Sequence, residues 1–270
     1  MNFVAISPQF PPNFQLFWKR LSEKGVTVLG IGDSPYHELD PELLDCLAEY
    51  YRVGNMLDYN QMLRAMGLLT HKYGKLDRLE SHNEFWLETD AALRSDFNVP
   101  GFHQEDMPKV KRKSAMKMVY QECGVKVARG RVVHSIEEAR ALIGEVGYPI
   151  IAKPDIGVGA SMTYQINQDE ELESFFNNCP PIDFIFEEFI RGQIVTYDGL
   201  VNQDGEVVFD STLRYSAGVM ESVTQSTDMW YYVDREIPAD LLEAGRNLVS
   251  AYGLKERFFH FEFFRLANGE

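Results

Sequence analysis

Cysteine is scarce: Cys46, Cys123 and Cys179 are the only three in 270 residues, far apart and odd in number. No Cys-x-x-Cys pair exists, so neither a zinc site nor a disulfide framework is implied. Reduced thiols in a cytoplasmic protein fit this usage best. Long apolar runs are missing too, and nothing reaches the length of a membrane-spanning helix. Met1-Asn-Phe-Val-Ala-Ile-Ser-Pro8 has no basic segment ahead of an apolar stretch and does not read as a signal peptide. Basic residues are outnumbered: 26 Lys and Arg against 41 Asp and Glu give a formal charge of −15. That field repels a polyanionic backbone, which argues against nucleic acid as a partner. The one basic cluster, Lys109-Val-Lys-Arg-Lys113, adjoins Glu105 and Asp106 and also fits a solvated helix start.

Several chemical signatures are absent as well. Gly30-Ile-Gly32 lacks the third glycine of a dinucleotide fingerprint and follows a second strand, not a first. A sugar- or dinucleotide-binding protein built on the opening sheet is therefore a weak reading. No Gly-Lys-Ser/Thr closes a phosphate loop, and no Ser-His-Asp or Cys-His nucleophile is found. Internal repeats and low-complexity tracts are lacking. What remains is an ordinary globular composition, 45% apolar and 25% charged, long enough for more than one cored unit.

The first hundred residues alternate strand and helix signals. Phe3–Ile6, Val26–Ile31 and Tyr50–Val53 read as strands. Phe14–Lys24, Pro41–Glu49 (capped by Asp40), Tyr59–Tyr73 and Glu84–Leu93 read as helices. This order implies βαβ units and a parallel, Rossmann-like sheet. Pro100, Gly101 and Pro108 then break the pattern, and a boundary is expected between Asn98 and Lys113. Lys111–Glu122 reads as a helix, Gly130–Val133 as a strand, and Ser135 with Glu138 as a capping box. Strands are expected at Pro149–Lys153, Met162–Ile166, Phe184–Ile190 and Phe258–Leu266, and helices at Glu170–Phe176 and Pro238–Tyr252. Asp204-Gly205 predicts a hairpin between Thr196–Val201 and Glu206–Phe209.

The most specific stretch is Gly147-Tyr-Pro-Ile-Ile-Ala-Lys-Pro-Asp-Ile-Gly-Val-Gly-Ala-Ser161. A buried strand delivers Lys153 just before a loop with Gly157 and Gly159. Glycines let backbone amides converge on an anion, and a lysine adds a point charge for phosphate oxygens. By itself the pattern also fits a flexible hairpin loop with a surface lysine. In Phe259-His-Phe-Glu-Phe-Phe264, alternation puts His260, Glu262 and Phe264 on one face and three phenylalanines on the other. A carboxylate among so many aromatics calls for a partner, either an ion pair or a metal. His260 reads more readily as a satisfied histidine than as a ligand.

A strand of the form Gly-Tyr-Pro-apolar-apolar-Ala-Lys-Pro followed by a small-residue loop resembles the ATP-grasp superfamily. Within it the likeness is to carbamoyl phosphate synthase large-chain and biotin-carboxylase-like members. The resemblance implies a two-lobed α/β and α+β architecture. A Rossmann-like domain would span 1–110, a first lobe 111–190 and a second lobe 191–270. It implies ATP, with Mg²⁺ (or Mn²⁺ in its place), and a small carboxylate and amine as partners. Dimers are common among relatives, so a homodimer is the assembly implied. By that match Lys113 and Lys153 contact phosphates, and Gly157, Val158, Gly159, Ala160 and Ser161 form the lid over them. Glu187 accepts from the adenine amine, while the backbone from Glu188 through Phe189 to Ile190 pairs with the ring edge. Gln193 falls near the acid that holds the ribose in many relatives. Glu262 is the first metal ligand.

The second metal ligand, on a Glu-x-Asn strand, would follow Asn268-Gly269, a hairpin signal with only Glu270 after it. This reads as a chain that stops mid-hairpin and turns over poorly alone. Arg214 sits on a strand where it could hold a carboxylate or acyl phosphate, or serve as a plain surface arginine. Tyr215–Thr227 reads as a loop over the acceptor. The expected activity is that of a ligase that activates a carboxylate as an acyl phosphate for attack by an amine. The alternatives are a bicarbonate-using half reaction and a nucleotide-binding module without catalysis.

Overall fold

The computed structural model describes residues 1–157, 162–216, 228 and 230–267, and the chain divides into two units, Met1–Met107 and Pro108–Glu270. In the first unit β1 (Asn2–Ile6), β2 (Thr27–Gly32), β3 (Glu49–Arg52) and β4 (Arg78–Ser81) form a sheet in the order β3-β2-β1-β4. All its pairs are parallel. The helices α1 (Gln15–Glu23), α2 (Pro41–Cys46), α3 (Tyr59–Tyr73) and α4 (Leu87–Phe97) connect the strands. Alternation along β1 sends Val4 and Ile6 into a core with Met62, Met66 and Leu93, while Phe3 and Ala5 pack with Trp18 and Leu43. Both faces of the sheet are covered, which is why its strands are apolar throughout.

Two expectations change in this unit. The α2 helix, capped by Asp40 through the Glu42 amide at 2.8 Å, stops at Cys46 because Glu49 already belongs to β3. The strand β4, whose polar Arg-Leu-Glu-Ser carries no strand pattern, is recruited by pairing with β1.

The second unit holds two sheets. Its first is built from β5 (Gly130–Val133), β6 (Ile150–Pro154), β7 (Tyr164–Ile166) and β8 (Phe184–Glu188), in the order β5-β8-β6-β7 and antiparallel throughout. One face packs on α7 (Ile136–Val146) and α8 (Asp169–Asn178) through Ala139, Leu142, Leu172 and Phe175. Ser135 caps α7 through the Glu138 amide, but the Glu138 carboxylate reaches back to the His134 amide, one residue earlier than a capping box predicts. The strand β8 ends at Glu188, two residues short of the expected Ile190.

The other sheet contains β9 (Gln193–Val201), β10 (Val207–Ser211), β11 (Leu213–Tyr215), β12 (Tyr231–Val233) and β13 (Arg257–Arg265). The whole of one edge of β9 pairs with β13, and β10 and β11 share the other. The helix α9 (Ala239–Ala251) lies against β9 so closely that a methyl group on Gly245 would stand 2.0 Å from the Tyr197 ring. The strand β12 was not foreseen. Residues 158–161, most of the Tyr215–Thr227 loop and the Asn268-Gly269 turn lie outside the described residues.

Where one helix was expected from Lys111 to Glu122, two are found: α5 (Met107–Lys111), which crosses the division between the units, and α6 (Lys113–Glu122). Arg112 between them is extended, at φ −88° and ψ 119°, and bridges to Ile156.

Candidate functional site

The geometry is set by how α6 begins. Its first residue, Lys113, is basic, which opposes the helix dipole, and its N-cap Arg112 supplies no side-chain cap. Asp155, fully buried, provides one from across the chain. Its carboxylate accepts from the Ser114 amide at 2.8 Å and hydroxyl at 3.0 Å, and pairs with Arg112 at 3.0 Å. The Lys113 amide donates to the Asp155 carbonyl at 2.9 Å, and Lys113 Nζ donates to the Gly157 carbonyl at 3.0 Å. The start of α6 is thereby strapped to the residues that directly follow Lys153 and Pro154.

On β6, Ile150 and Ala152 face the core under α7 and α8, so Lys153 points the other way. The register sets Ile151 opposite Glu187 and Lys153 opposite Ile185, which makes Lys153 and Glu187 diagonal neighbours on that free face. Lys153 Nζ lies 2.5 Å from Glu187 Oε2. Lys117, one turn beyond Lys113 on α6, places its Nζ 2.7 Å from Glu187 Oε1. Burial presses the Glu187 carboxyl upward, but Lys153 and then Lys117 outweigh it and hold the group below the usual carboxylate range. Gly130 permits this packing, because a methyl group there would stand 2.2 Å from the Phe186 carbonyl oxygen and 2.9 Å from Glu187 Cγ.

The resemblance has Glu187 accept from the adenine amine; in the structure both Glu187 oxygens pair with lysines. Glu188 turns away and is forked by Arg129, with Nη2 at 2.7 Å and Nε at 2.9 Å, while its amide donates to the Arg129 carbonyl. Phe189 and Ile190 follow β8 as half-buried coil, with the Arg191 guanidinium 5.9 Å from the Phe189 ring centroid.

The five-stranded sheet carries the other candidates. The register pairs Glu262 with Thr196 and His260 with Asp198, so these four share one face. The opposite face of β13 meets α6 and the end of α9: Tyr120 lies 6.4 Å from Phe261 and 6.2 Å from Phe263, and Tyr252 stacks on Phe261 at 5.9 Å. Thus α6 serves both sheets. His260 Nδ1 is 2.5 Å from Asp198 Oδ1, and its Nε2 is 3.6 Å from Glu262 Oε1. The bond to Asp198, then that to Glu262, raises the imidazole from 6.5 to about 10. The Glu262 side chain is 54% exposed. Among the described residues no group of three or more His, Cys, Asp or Glu is arranged to hold a metal. A single open carboxylate still fits Mg²⁺, which commonly takes one or two carboxylates and completes its shell with phosphate and water.

Arg214 pairs in register with Val195, on the face opposite Glu262. Its guanidinium is engaged by Asp234 at 2.7 Å and by Gln193 at 3.3 Å. Arg214 and Gln193 therefore hold each other, and neither presents a free group to the Glu262 face. Sequence reading missed Lys117, Asp155, Arg129 and the Asp198–His260 pair. The spacing of Lys117 from Lys113, one helical turn, was the signal available for the first.

Residues 111–180 match the family described as carbamoyl-phosphate synthase L chain, ATP binding domain. That stretch reads as part of an ATP-grasp domain. The whole chain is 25% identical, over 280 aligned residues, to the L-arginine-specific L-amino acid ligase of Bacillus subtilis. Its fold is similar to the crystal structure of an L-amino acid ligase from Bacillus licheniformis, with a TM-score of 0.75, 17% identity and 99% of this chain covered. It is also similar to the biotin carboxylase domain of the Hydrogenobacter thermophilus 2-oxoglutarate carboxylase, solved with MgADP, ADP and bicarbonate, with a TM-score of 0.73, 18% identity and 99% covered. The chain spans about two thirds of these relatives: 67%, 64% and 62% of their lengths. Among its described residues no helix is long and apolar enough to cross a membrane.

Proposed function

We propose that this ATP-grasp chain acts in an ATP-dependent carboxylate–amine ligase. A carboxylate oxygen attacks the γ-phosphorus, the bond to the β–γ bridging oxygen breaks, and ADP leaves. The resulting acyl phosphate is attacked at carbon by an amine nitrogen, which loses a proton as phosphate departs. The single observation that carries this reading is the meeting of Lys117 and Lys153 on Glu187, with Lys113 one turn back on the same helix and bonded to the Gly157 carbonyl, in a protein of net charge −15. So local a concentration of cations in an acidic chain suits a polyanion, and phosphoryl transfer asks chiefly for alignment and charge neutralisation.

In this reading Lys113 and Lys153 take phosphate oxygens, and the amides of Gly157, with Val158, Gly159, Ala160 and Ser161, cover them. The backbone of Glu188 to Ile190 receives the adenine edge, and Gln193 lies towards the ribose. Glu262 would hold Mg²⁺, or Mn²⁺ in its place, and the ion would supply positive charge for the phosphates. A homodimer is the assembly carried over from the family, read directly by analytical ultracentrifugation.

The test is ADP release measured against panels of carboxylic acids, bicarbonate included, with and without amines. Release that needs both an organic acid and an amine supports the proposal, and release with bicarbonate alone would select a carboxylase-type half reaction. In calorimetry Lys153→Ala should weaken ATP binding about tenfold or more; parent-like affinity would remove Lys153 from the phosphates.

A further inference from the structure

The triad of Lys117, Glu187 and Lys153 holds two cations where its carboxylate needs one. Glu187 is 6% exposed, and a buried carboxylate left without a partner is strongly disfavoured. If Lys153 is to meet a phosphate it must turn away from Glu187, and something has to stay behind. The two lysines differ in the way this requires. The Lys117 side chain is 14% exposed and donates to the Ala128 carbonyl as well as pairing with Glu187, so it is anchored from two sides. Lys153 is 29% exposed, stands just before the loop that starts at Gly157, and its described partner is Glu187.

We propose that Lys117 and Glu187 form a charge-exchange device: Glu187 aims Lys153 in advance, and Lys117 keeps the carboxylate paired once Lys153 transfers to the triphosphate. Lys117 is thus a positioning residue for ATP that acts through Glu187 and Lys153. The triad carries one net positive charge, and that surplus is what the phosphate receives. This inference rests on the functional reading above.

The test uses calorimetry on the full chain with MgATP and, separately, with adenosine. Lys117→Met leaves Glu187 dependent on Lys153 and should weaken MgATP about tenfold while changing adenosine by less than about twofold. Adding Glu187→Gln to Lys117→Met releases Lys153 and should recover most of that loss. Glu187→Gln alone loses the aim but frees Lys153, and should weaken MgATP by no more than about threefold, less than Lys117→Met does. Should Lys117→Met fail to fold, Lys117→Arg, which keeps the charge, should bind like the parent, and Glu187→Gln still decides the matter.

Parent-like MgATP binding by Lys117→Met, equal losses for MgATP and adenosine, or no recovery in the double variant would each overturn the proposal. A parent protein that binds adenosine and MgATP equally weakly fails the ATP-dependent reading itself, and the exchange device falls with it.

Discussion

On the four-stranded sheet of the second unit the carboxylate Glu187 is buried between two ammonium groups, whereas on the five-stranded sheet Glu262 stands 54% exposed beside a histidine held by Asp198. The contrast follows from what lies over each face. Glu187 is closed in by α6 and by the close approach of β5 at Gly130, and a carboxylate removed from water persists only with cations in contact. Glu262 shares its face with other polar groups and keeps much of its hydration, so it can exchange ligands at small penalty. One sheet gathers positive charge around a buried carboxylate, and the other presents a half-exposed carboxylate beside a histidine.

The largest expected effect comes from breaking the buried side of this pair. Glu187→Ala would leave Lys117 and Lys153 facing each other and should lower stability by about 3 kcal/mol in urea denaturation. Asp155→Ala should follow at about 2 kcal/mol, since α6 loses its cap and Arg112 its buried partner. It should also weaken MgATP binding, because Lys113 no longer starts a fixed helix.

On the open sheet, Glu262→Gln should leave stability within about 0.5 kcal/mol and reduce the Mg²⁺-dependent part of ATP affinity more than the metal-free part. Equal losses in the two titrations would take Glu262 out of the metal site. The smallest effect is a difference in pH slope. A depressed Glu187 stabilises the fold above its unfolded value of about 4.3 and loses that contribution as pH falls through its folded value. His260, raised to about 10, contributes fully below 6.5 and loses the contribution as pH rises towards 10. Melting temperatures followed across pH should therefore fall at the acid end through the first sheet and at the alkaline end through the second. Glu187→Gln should flatten the acid limb alone and Asp198→Asn the alkaline limb alone.

Elements with a strong local pattern were legible before any coordinates. The strands β1, β2, β6 and β13 lie where apolar runs or alternation put them, and the facing of Glu262 and His260 opposite Phe259, Phe261 and Phe263 follows from period two alone. The polar strand β4 was not legible, because its pairing energy comes from β1 and from Arg94 of α4, whose guanidinium donates to the Leu79 carbonyl at 2.8 and 3.0 Å. Nor was the break at Arg112, since the residue that caps α6 is Asp155, on another strand. Lys153 and Glu187 were both singled out, but only register and the arrival of α6 make them partners.

The order of amino acids therefore determined which side chains could meet a phosphate or a metal, because charge, glycine and alternation are local properties. Which of them touch was decided by tertiary structure. Hydrogen bonds and ion pairs act over about 3 Å, and residues as distant in sequence as Lys117 and Glu187 come that close only when a helix is laid across a folded sheet.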